Sequence, residues 1–208
     1  VKEAFNRLYN DFFYRRHNYF WREQAMKKLP VILSATTMMA CGEDLGMVPD
    51  CVPSVMDQLQ ILSLEIQRMP KVERVSFTKL NRLPYLSVCT TSTHDMSPLR
   101  LWWTENKELT QRYFNEVLHR EGPAPEECTT DICHQIVEEH LRSSAMWVIL
   151  PLQDWLSIDD ALRNPDFCSE RINVPSNPSH YWCYRMHITL DQLLEEKMFN
   201  EKVKGMKR

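Results

Sequence analysis

Apolar positions in the first thirty residues recur at helical spacing. Phe5, Leu8, Tyr9, Phe12 and Phe13 fall at i, i+3, i+4, i+7 and i+8, on one face of a helix. This predicts a long helix over residues 2–29, broken near His17-Asn18, whose aromatic stripe packs into a core. Pro30 interrupts it, and Val31 to Ala35 are expected to form a second short helical stretch. A short apolar run, Met39-Ala40-Cys41, then turns through Gly42-Glu43-Asp44-Leu45-Gly46. A buried strand that empties into a glycine-bracketed acidic turn is how α/β enzymes present a carboxylate at the carboxyl edge of a sheet. The same pattern also suits an acidic turn that caps the next helix, because Asp and Gly are ordinary turn and N-cap residues.

Helix and strand periods alternate along the rest of the chain. Asp50 is the expected N-cap of a helix reaching Leu59, with Pro53 tolerated in its first turn. Leu62 to Met69 alternates as a strand and stops at Pro70; residues 70–84 carry mixed charge without a period and are expected to be a loop. Tyr85 to Thr91 predicts another strand, ending at Ser92-Thr93-His94-Asp95. Pro98 opens a helix running through Trp102 and Trp103 towards His119. Gly122 to Glu127 is a polar connection, and Thr130 to His140 an amphipathic helix. Trp147 to Pro151 predicts a further strand, ending at Gln153-Asp154-Trp155. Asn164 to Pro178 is Pro-rich and predicts a loop, Leu190 to Phe199 a closing helix, and the Lys-rich tail a frayed end. Strands alternating with helices point to a parallel sheet. The expected fold is therefore α/β, the second half, about four strands, of a (β/α)8 TIM-type barrel.

Composition narrows the function classes. The chain has 208 residues, 43% hydrophobic and 25% charged, which is ordinary for a globular protein but short of the ~250 residues of a complete barrel. A net charge of -3 and no Lys/Arg cluster argue against a nucleic-acid surface. No apolar run reaches the ~18 residues of a membrane span. The first residues, Val1-Lys2-Glu3-Ala4-Phe5, carry neither a signal peptide's apolar core nor an initiator Met. A piece of a longer, cytoplasmic protein is the expectation. Seven cysteines give no CxxC pair, and Cys128, Cys133 and His134 do not have tetrahedral metal-site spacing. Cys41 and Cys89 lie in apolar runs, where a free Cys behaves as a small hydrophobe. No metal or organic cofactor is expected.

Three predicted strands end in polar turns: Gly42-Glu43-Asp44, Thr93-His94-Asp95 and Gln153-Asp154. In a parallel barrel these would open onto one face. Converging carboxylates with a His and several Trp and Tyr suit glycosidic chemistry. One acid protonates the departing oxygen, and another carries or stabilises positive charge at the sugar carbon. Asp95 and Asp154 suit equally the role of caps on the helices that follow, and for Asp154 a cap is the favoured reading.

Gly42-Glu43-Asp44-Leu45-Gly46 followed by Val48-Pro49 resembles the acid/base segment of the 4-α-glucanotransferases, the amylomaltase or disproportionating-enzyme family (glycoside hydrolase family 77). Ser92-Thr93-His94-Asp95 with Trp102-Trp103 resembles that family's second acidic motif. Asn173-Val174-Pro175 with Tyr181-Trp182 and Tyr184-Arg185 resembles its closing segment. The runs Leu64 to Pro70 and Leu150 to Leu156 are similar to the larger variant, which includes the plant cytosolic enzyme and similar bacterial proteins.

The resemblance implies a retaining transferase moving glucosyl or maltosyl units from maltose, maltooligosaccharides or α-1,4-glucans. In it Glu43 is the general acid/base and Asp95 the transition-state stabiliser. His94, Asp44, Trp102, Arg68 and Trp182 are the substrate-binding residues. The family's nucleophilic Asp matches no residue here, so residues 1–208 are expected to be the C-terminal half of the catalytic barrel. Asp44 shares the turn of Glu43 and cannot serve as that nucleophile. A retaining α-glucan hydrolase, or a catalytically incompetent glucan-binding piece, are the alternatives.

Overall fold

A computed structural model describes all residues except Tyr14, Met47, Glu73, Lys207 and Arg208, and leaves out the side chains of Phe12 and Phe13. The chain divides into two compact units, Val1–Leu64 with Pro84–Val88, and Glu65–Leu83 with Cys89–Arg208. Strands β1 (Ser63–Ile66) and β2 (Ser87–Thr90) each begin in the first unit and end in the second; β3 (Trp147–Val148) belongs to the second. They form one parallel sheet in the order β1-β2-β3. The expected fourth strand is reduced to a parallel bridge between Cys41 and Leu62.

In the first unit, α1 (Lys2–Phe13) and α2 (Asn18–Ser34) are separated at His17, as the pattern predicts. Pro30 does not end the second helix. It lacks the amide that would bond to Met26, but its fixed φ suits a helix, and α2 runs on to Ser34. The aromatic stripe is not core within these residues. Phe5 is 63% exposed and Leu8 71%, while Phe12 and Phe13 lie outside the described side chains. Helix α3 (Val52–Gln58) starts two residues later than expected, with Pro53 in its first turn and Cys51 at the cap. Asp50 does not cap it; that carboxylate pairs with Arg15 instead. Arg22 of α2 donates to Ser54 Oγ at 2.9 Å and to Gln58 Oε1 at 2.8 Å, which ties the two helices.

The second unit holds the main core. The expected helix from Pro98 to His119 is two, α4 (Leu99–Glu105) and α5 (Lys107–Glu116). Asn106 breaks it because its extended backbone lets the side chain accept the Leu109 amide at 2.9 Å, an N-cap for α5. Along α6 (Thr130–Leu141), Ile132, Cys133, Ile136, Val137 and His140 are buried on one face. Tyr113 sits at the centre, edge-on to Phe77 at 5.0 Å and to Trp102 at 5.1 Å. Its hydroxyl donates to Gln67 Oε1 at 2.6 Å, so the one polar atom it buries is satisfied. β3 is two residues long because Pro151 cannot continue a ladder and instead precedes α7 (Leu152–Leu156). Residues 70–84 contain a 3₁₀ turn at Leu80–Arg82, and the Pro-rich segment another at Phe167–Glu170.

The chain ends in α8 (Leu190–Glu195) and α9 (Lys197–Gly205). The expected single helix to Phe199 is thus two, and the Lys-rich stretch after Phe199 continues α9 to Gly205 instead of fraying, with Phe199 5% exposed in the core cluster. Lys202 Nζ also donates to the Ile158 carbonyl at 2.7 Å.

Candidate active site

In the first unit, the acidic turn is built by its two glycines and by Asp44. Gly42 donates its amide to Leu62 at 2.9 Å, and a Cβ there would stand 3.1 Å from Met56 Cε and 3.4 Å from Ile61 Cγ2. Gly46 has φ +81°, in the left-handed region that glycine reaches without strain. Between them Asp44 turns inward, 5% exposed, and its Oδ1 accepts the Leu64 amide at 3.0 Å. Glu43 is left facing outward, exposed. Asp44 therefore fastens the turn, and Glu43 is presented by it.

In the second unit, the segment after β2 gathers the other polar groups. His94 Nε2 lies 3.4 Å from Asp95 Oδ2, and both side chains are exposed. Asn173 Nδ2 donates to Asp95 Oδ1 at 2.5 Å, and the Asn173 amide donates to the His94 carbonyl at 3.1 Å. The Trp182 ring lies against the His94 imidazole, centroids 5.1 Å apart. Residues some 80 apart in sequence thus form one exposed cluster of imidazole, carboxylate, amide and indole.

Beneath it lies a buried polar layer. Asp154 is 1% exposed. Its Oδ2 accepts from Thr91 Oγ1 at 2.5 Å and from Ser92 Oγ at 3.5 Å, and its Oδ1 accepts the Leu99 amide at 2.9 Å. Arg68 donates to the Thr91 carbonyl through Nε (3.1 Å) and Nη2 (2.8 Å), and to the Ser97 carbonyl through Nη2 (2.9 Å). Its guanidinium stacks on the Trp102 ring at 4.5 Å, while Nη1 is buried with no hydrogen-bond partner among the described residues. Burial pushes the Asp154 carboxyl up, against the donors of Thr91 and Leu99 and the charge of Arg68. Burial likewise lowers Arg68, which stays cationic because a guanidinium starts so far above neutrality. Two surface clefts of about 670 and 760 Å³, one including Arg100, Cys128 and Arg163 and the other Lys79, Arg112 and Arg142, contain neither Glu43 nor His94 nor Asp95.

A family model described as 4-alpha-glucanotransferase, glycoside hydrolase family 77, matches residues 1–191. The chain belongs to that family. It is 40% identical to the 4-alpha-glucanotransferase DPE2 of Oryza sativa subsp. japonica over 205 residues, 99% of this chain and 22% of the rice protein. It is 31% identical to the 4-alpha-glucanotransferase of Chlamydia pneumoniae over 184 residues, 86% of this chain and 34% of that one. The chain thus spans about a fifth to a third of these relatives' length. Among solved structures, it is similar to the amylomaltase from Streptococcus agalactiae in complex with acarbose, with a TM-score of 0.58 at 15% identity over 79% of this chain and 30% of that one. It is also similar to the Corynebacterium glutamicum amylomaltase, with a TM-score of 0.55 at 14% identity over 82% and 29% of the two chains. That likeness shows the fold, α/β with parallel strands, matching part of an amylomaltase.

Against this family's chemistry, the side chains taken as sugar contacts divide in two. His94 and Trp182 stand in the exposed cluster. Trp102, 9% exposed, is walled by Tyr113 and Arg68 and packs the core instead of offering a face to a sugar. Arg68 spends its donors on backbone carbonyls, and Asp44 is turned inward, so both are structural anchors here. Asp154 does cap a helix, but α4, some 55 residues earlier in the chain, and not α7, in whose first turn it lies. Asn173 was missed as a partner of Asp95; its place before Val174-Pro175 in the closing segment was the available signal. None of the seven cysteines forms a disulfide among the described residues; Cys89 is buried as expected, whereas Cys41 is exposed. Among the described residues no group of His, Cys, Asp and Glu could hold a metal, and no helix is long and apolar enough to cross a membrane.

Proposed function

We propose that the protein carrying this chain is a retaining 4-α-glucanotransferase, moving a glucosyl or maltosyl unit from maltose or an α-1,4-glucan to an acceptor sugar. The observation that carries the proposal is the exposed His94–Asp95–Asn173–Trp182 cluster directly after β2, in a chain matched by the family over residues 1–191. Glu43 is the general acid/base: it protonates the departing glycosidic oxygen, then takes the proton of the acceptor hydroxyl. Asp95 stabilises the positive charge that develops at the anomeric carbon, and His94 binds sugar hydroxyls beside it. Trp182 offers an open aromatic face for a sugar ring. The chain forms the second half of a (β/α)8 barrel, and the nucleophilic carboxylate comes from a strand upstream of residue 1.

The test uses the full-length polypeptide with maltotriose. Redistribution into longer and shorter maltooligosaccharides is expected, lost in Glu43→Gln and in Asp95→Asn. Free glucose without longer products would make the enzyme a hydrolase. Turnover of Glu43→Gln near the wild-type rate on an unactivated sugar would remove Glu43 from the acid's role. Residues 1–208 alone are expected to redistribute nothing.

A further inference from the structure

The loop from Thr91 to Leu99 carries His94 and Asp95, whose side chains lean on Trp182 and Asn173 of the closing segment. His94 and Asp95 are both exposed. The loop's fixation comes from below, and at its two ends. One carboxylate, Asp154, accepts the Thr91 hydroxyl at the start of the loop and the Leu99 amide at its finish. One guanidinium, Arg68, donates to the carbonyls of Thr91 and Ser97. A single rigid group that bonds both ends of a loop fixes its span, and two such groups of opposite charge fix it from two directions.

We propose that Asp154, seconded by Arg68, is a positioning residue that sets where the His94–Asp95 turn stands above β2. This rests on Asp95 acting in glucosyl transfer. The chemistry favours a carboxylate at 154 over a neutral side chain. Three donors converge on it, and at 1% exposure no water is at hand to replace a lost acceptor. Burial raises this carboxyl, and the donors of Thr91 and Leu99 and the opposite charge of Arg68 act against that rise. A second set of bonds extends the same frame to the closing segment. Arg171 Nε donates to the Asn173 carbonyl at 3.0 Å, and its Nη1 donates to Ser97 Oγ at 2.5 Å and lies 3.1 Å from Glu105 Oε1. Asn173, which touches Asp95, is therefore referenced to the same loop that Asp154 and Arg68 hold.

A side chain that positions a transition-state group changes kcat more than KM, whereas one that only stabilises the fold changes the folded fraction. The experiment compares Asp154→Ala, Asp154→Asn, Thr91→Val, Asp95→Asn and the core variant Ile136→Ala in the full-length protein. Transfer from maltotriose is measured per folded molecule, well below every melting temperature. Misplacing a reacting group by about 1 Å costs on the order of 10²-fold, so Asp154→Ala is expected to lower kcat by about that factor with little change in KM. Asn keeps an acceptor for the Leu99 amide, and the Thr91 hydroxyl can turn to accept from it, so Asp154→Asn is expected to recover about ten-fold of the loss. Thr91→Val removes one hydrogen bond and is expected to lower kcat about 5-fold. Ile136→Ala lowers the melting temperature and leaves kcat unchanged. If Asp95→Asn is inactive while Asp154→Ala keeps the kcat of Ile136→Ala, the positioning role is overturned and Asp95's role survives. If Asp95→Asn is fully active, Asp95's role falls and the positioning role with it. Should Asp154→Ala not fold, Thr91→Val decides: an unchanged kcat overturns the proposal.

Discussion

His140 offers a direct measure of how dry the core of the second unit is. It is 1% exposed on the inner face of α6, and its Nδ1 lies 2.7 Å from the Ile136 carbonyl one turn back. A carbonyl only accepts, so Nδ1 carries the proton. Nε2 is buried with no hydrogen-bond partner among the described residues. Protonating Nε2 would place a charge there with nothing to receive it, and burial lowers the imidazole to about 4 from its ordinary 6.5, with Arg68 adding like-charge repulsion. The unfolded chain takes up a proton below about pH 6.5 and the folded chain only below about pH 4. Between them the unfolded state binds more protons, so stability falls as the pH falls, by ~1.4 kcal/mol per pH unit and by on the order of 3 kcal/mol across the window. Above about pH 6.5 this group contributes no pH dependence. The assay is hydrogen exchange at the Ile136 and Val137 amides, corrected for intrinsic rates, from pH 7.5 to 5. It reads the opening of this region even inside a longer polypeptide. Wild-type protection should fall by about 2 kcal/mol between pH 6.5 and 5 relative to His140→Leu. Parallel curves for the two proteins, or an imidazole titrating near 6.5 by NMR, would refute the dry-core argument.

Glu170 should tilt stability the other way. At 2% exposure burial raises its carboxyl to about 7, so it stays protonated where the unfolded chain has ionised, and stability falls as pH rises from about 4.5 to 7. Glu170→Gln should remove that slope in chemical denaturation run at pH 5 and pH 7.5. Asn106→Ala should cost about 1 kcal/mol by losing the cap of α5, with Asn106→Asp close to wild type in the same melts. Gly46→Ala should cost ~1–2 kcal/mol although an added Cβ would meet nothing within 4 Å among the described residues, because the penalty is the left-handed backbone; Gly46→Asn should lose less.

The elements that read true from sequence are those decided within a few residues. The break at His17, the span of α6, and the strand cores before Pro70 and after Tyr85 follow from local period and punctuation. The failures have a common cause in long-range packing. Phe5 and Leu8 show a helical stripe, but a stripe states only that a face is apolar and not what covers it. Pro30 was read as a stop because the cost of a lost amide was weighed without the remaining turns of α2 that tolerate it. Asn106 was overlooked inside a long apolar period, although Asn followed by Lys107-Glu108 is a serviceable cap-and-first-turn signature.

At the site, sequence identified residue types better than their duties. Glu43 and Asp44 are neighbours with the same side-chain chemistry, and only the fold separates the outward carboxylate from the one spent on the Leu64 amide. Trp102 and Trp182 are equally plausible sugar platforms in a string of letters. One has its faces covered by Tyr113 and Arg68, the other is 54% exposed beside His94. Asp154 carries the sharpest lesson. Its position at the start of α7 invites a local cap, yet its acceptors serve Thr91 and Leu99, 63 and 55 residues away. A cap satisfied by a distant carboxylate costs more chain entropy to assemble than a local one. What it adds is a fixed relation between β3 and the loop after β2, which a local cap would leave free. In a site whose exposed residues lean only on the closing segment, that relation is what keeps Asp95 at a constant height above the sheet.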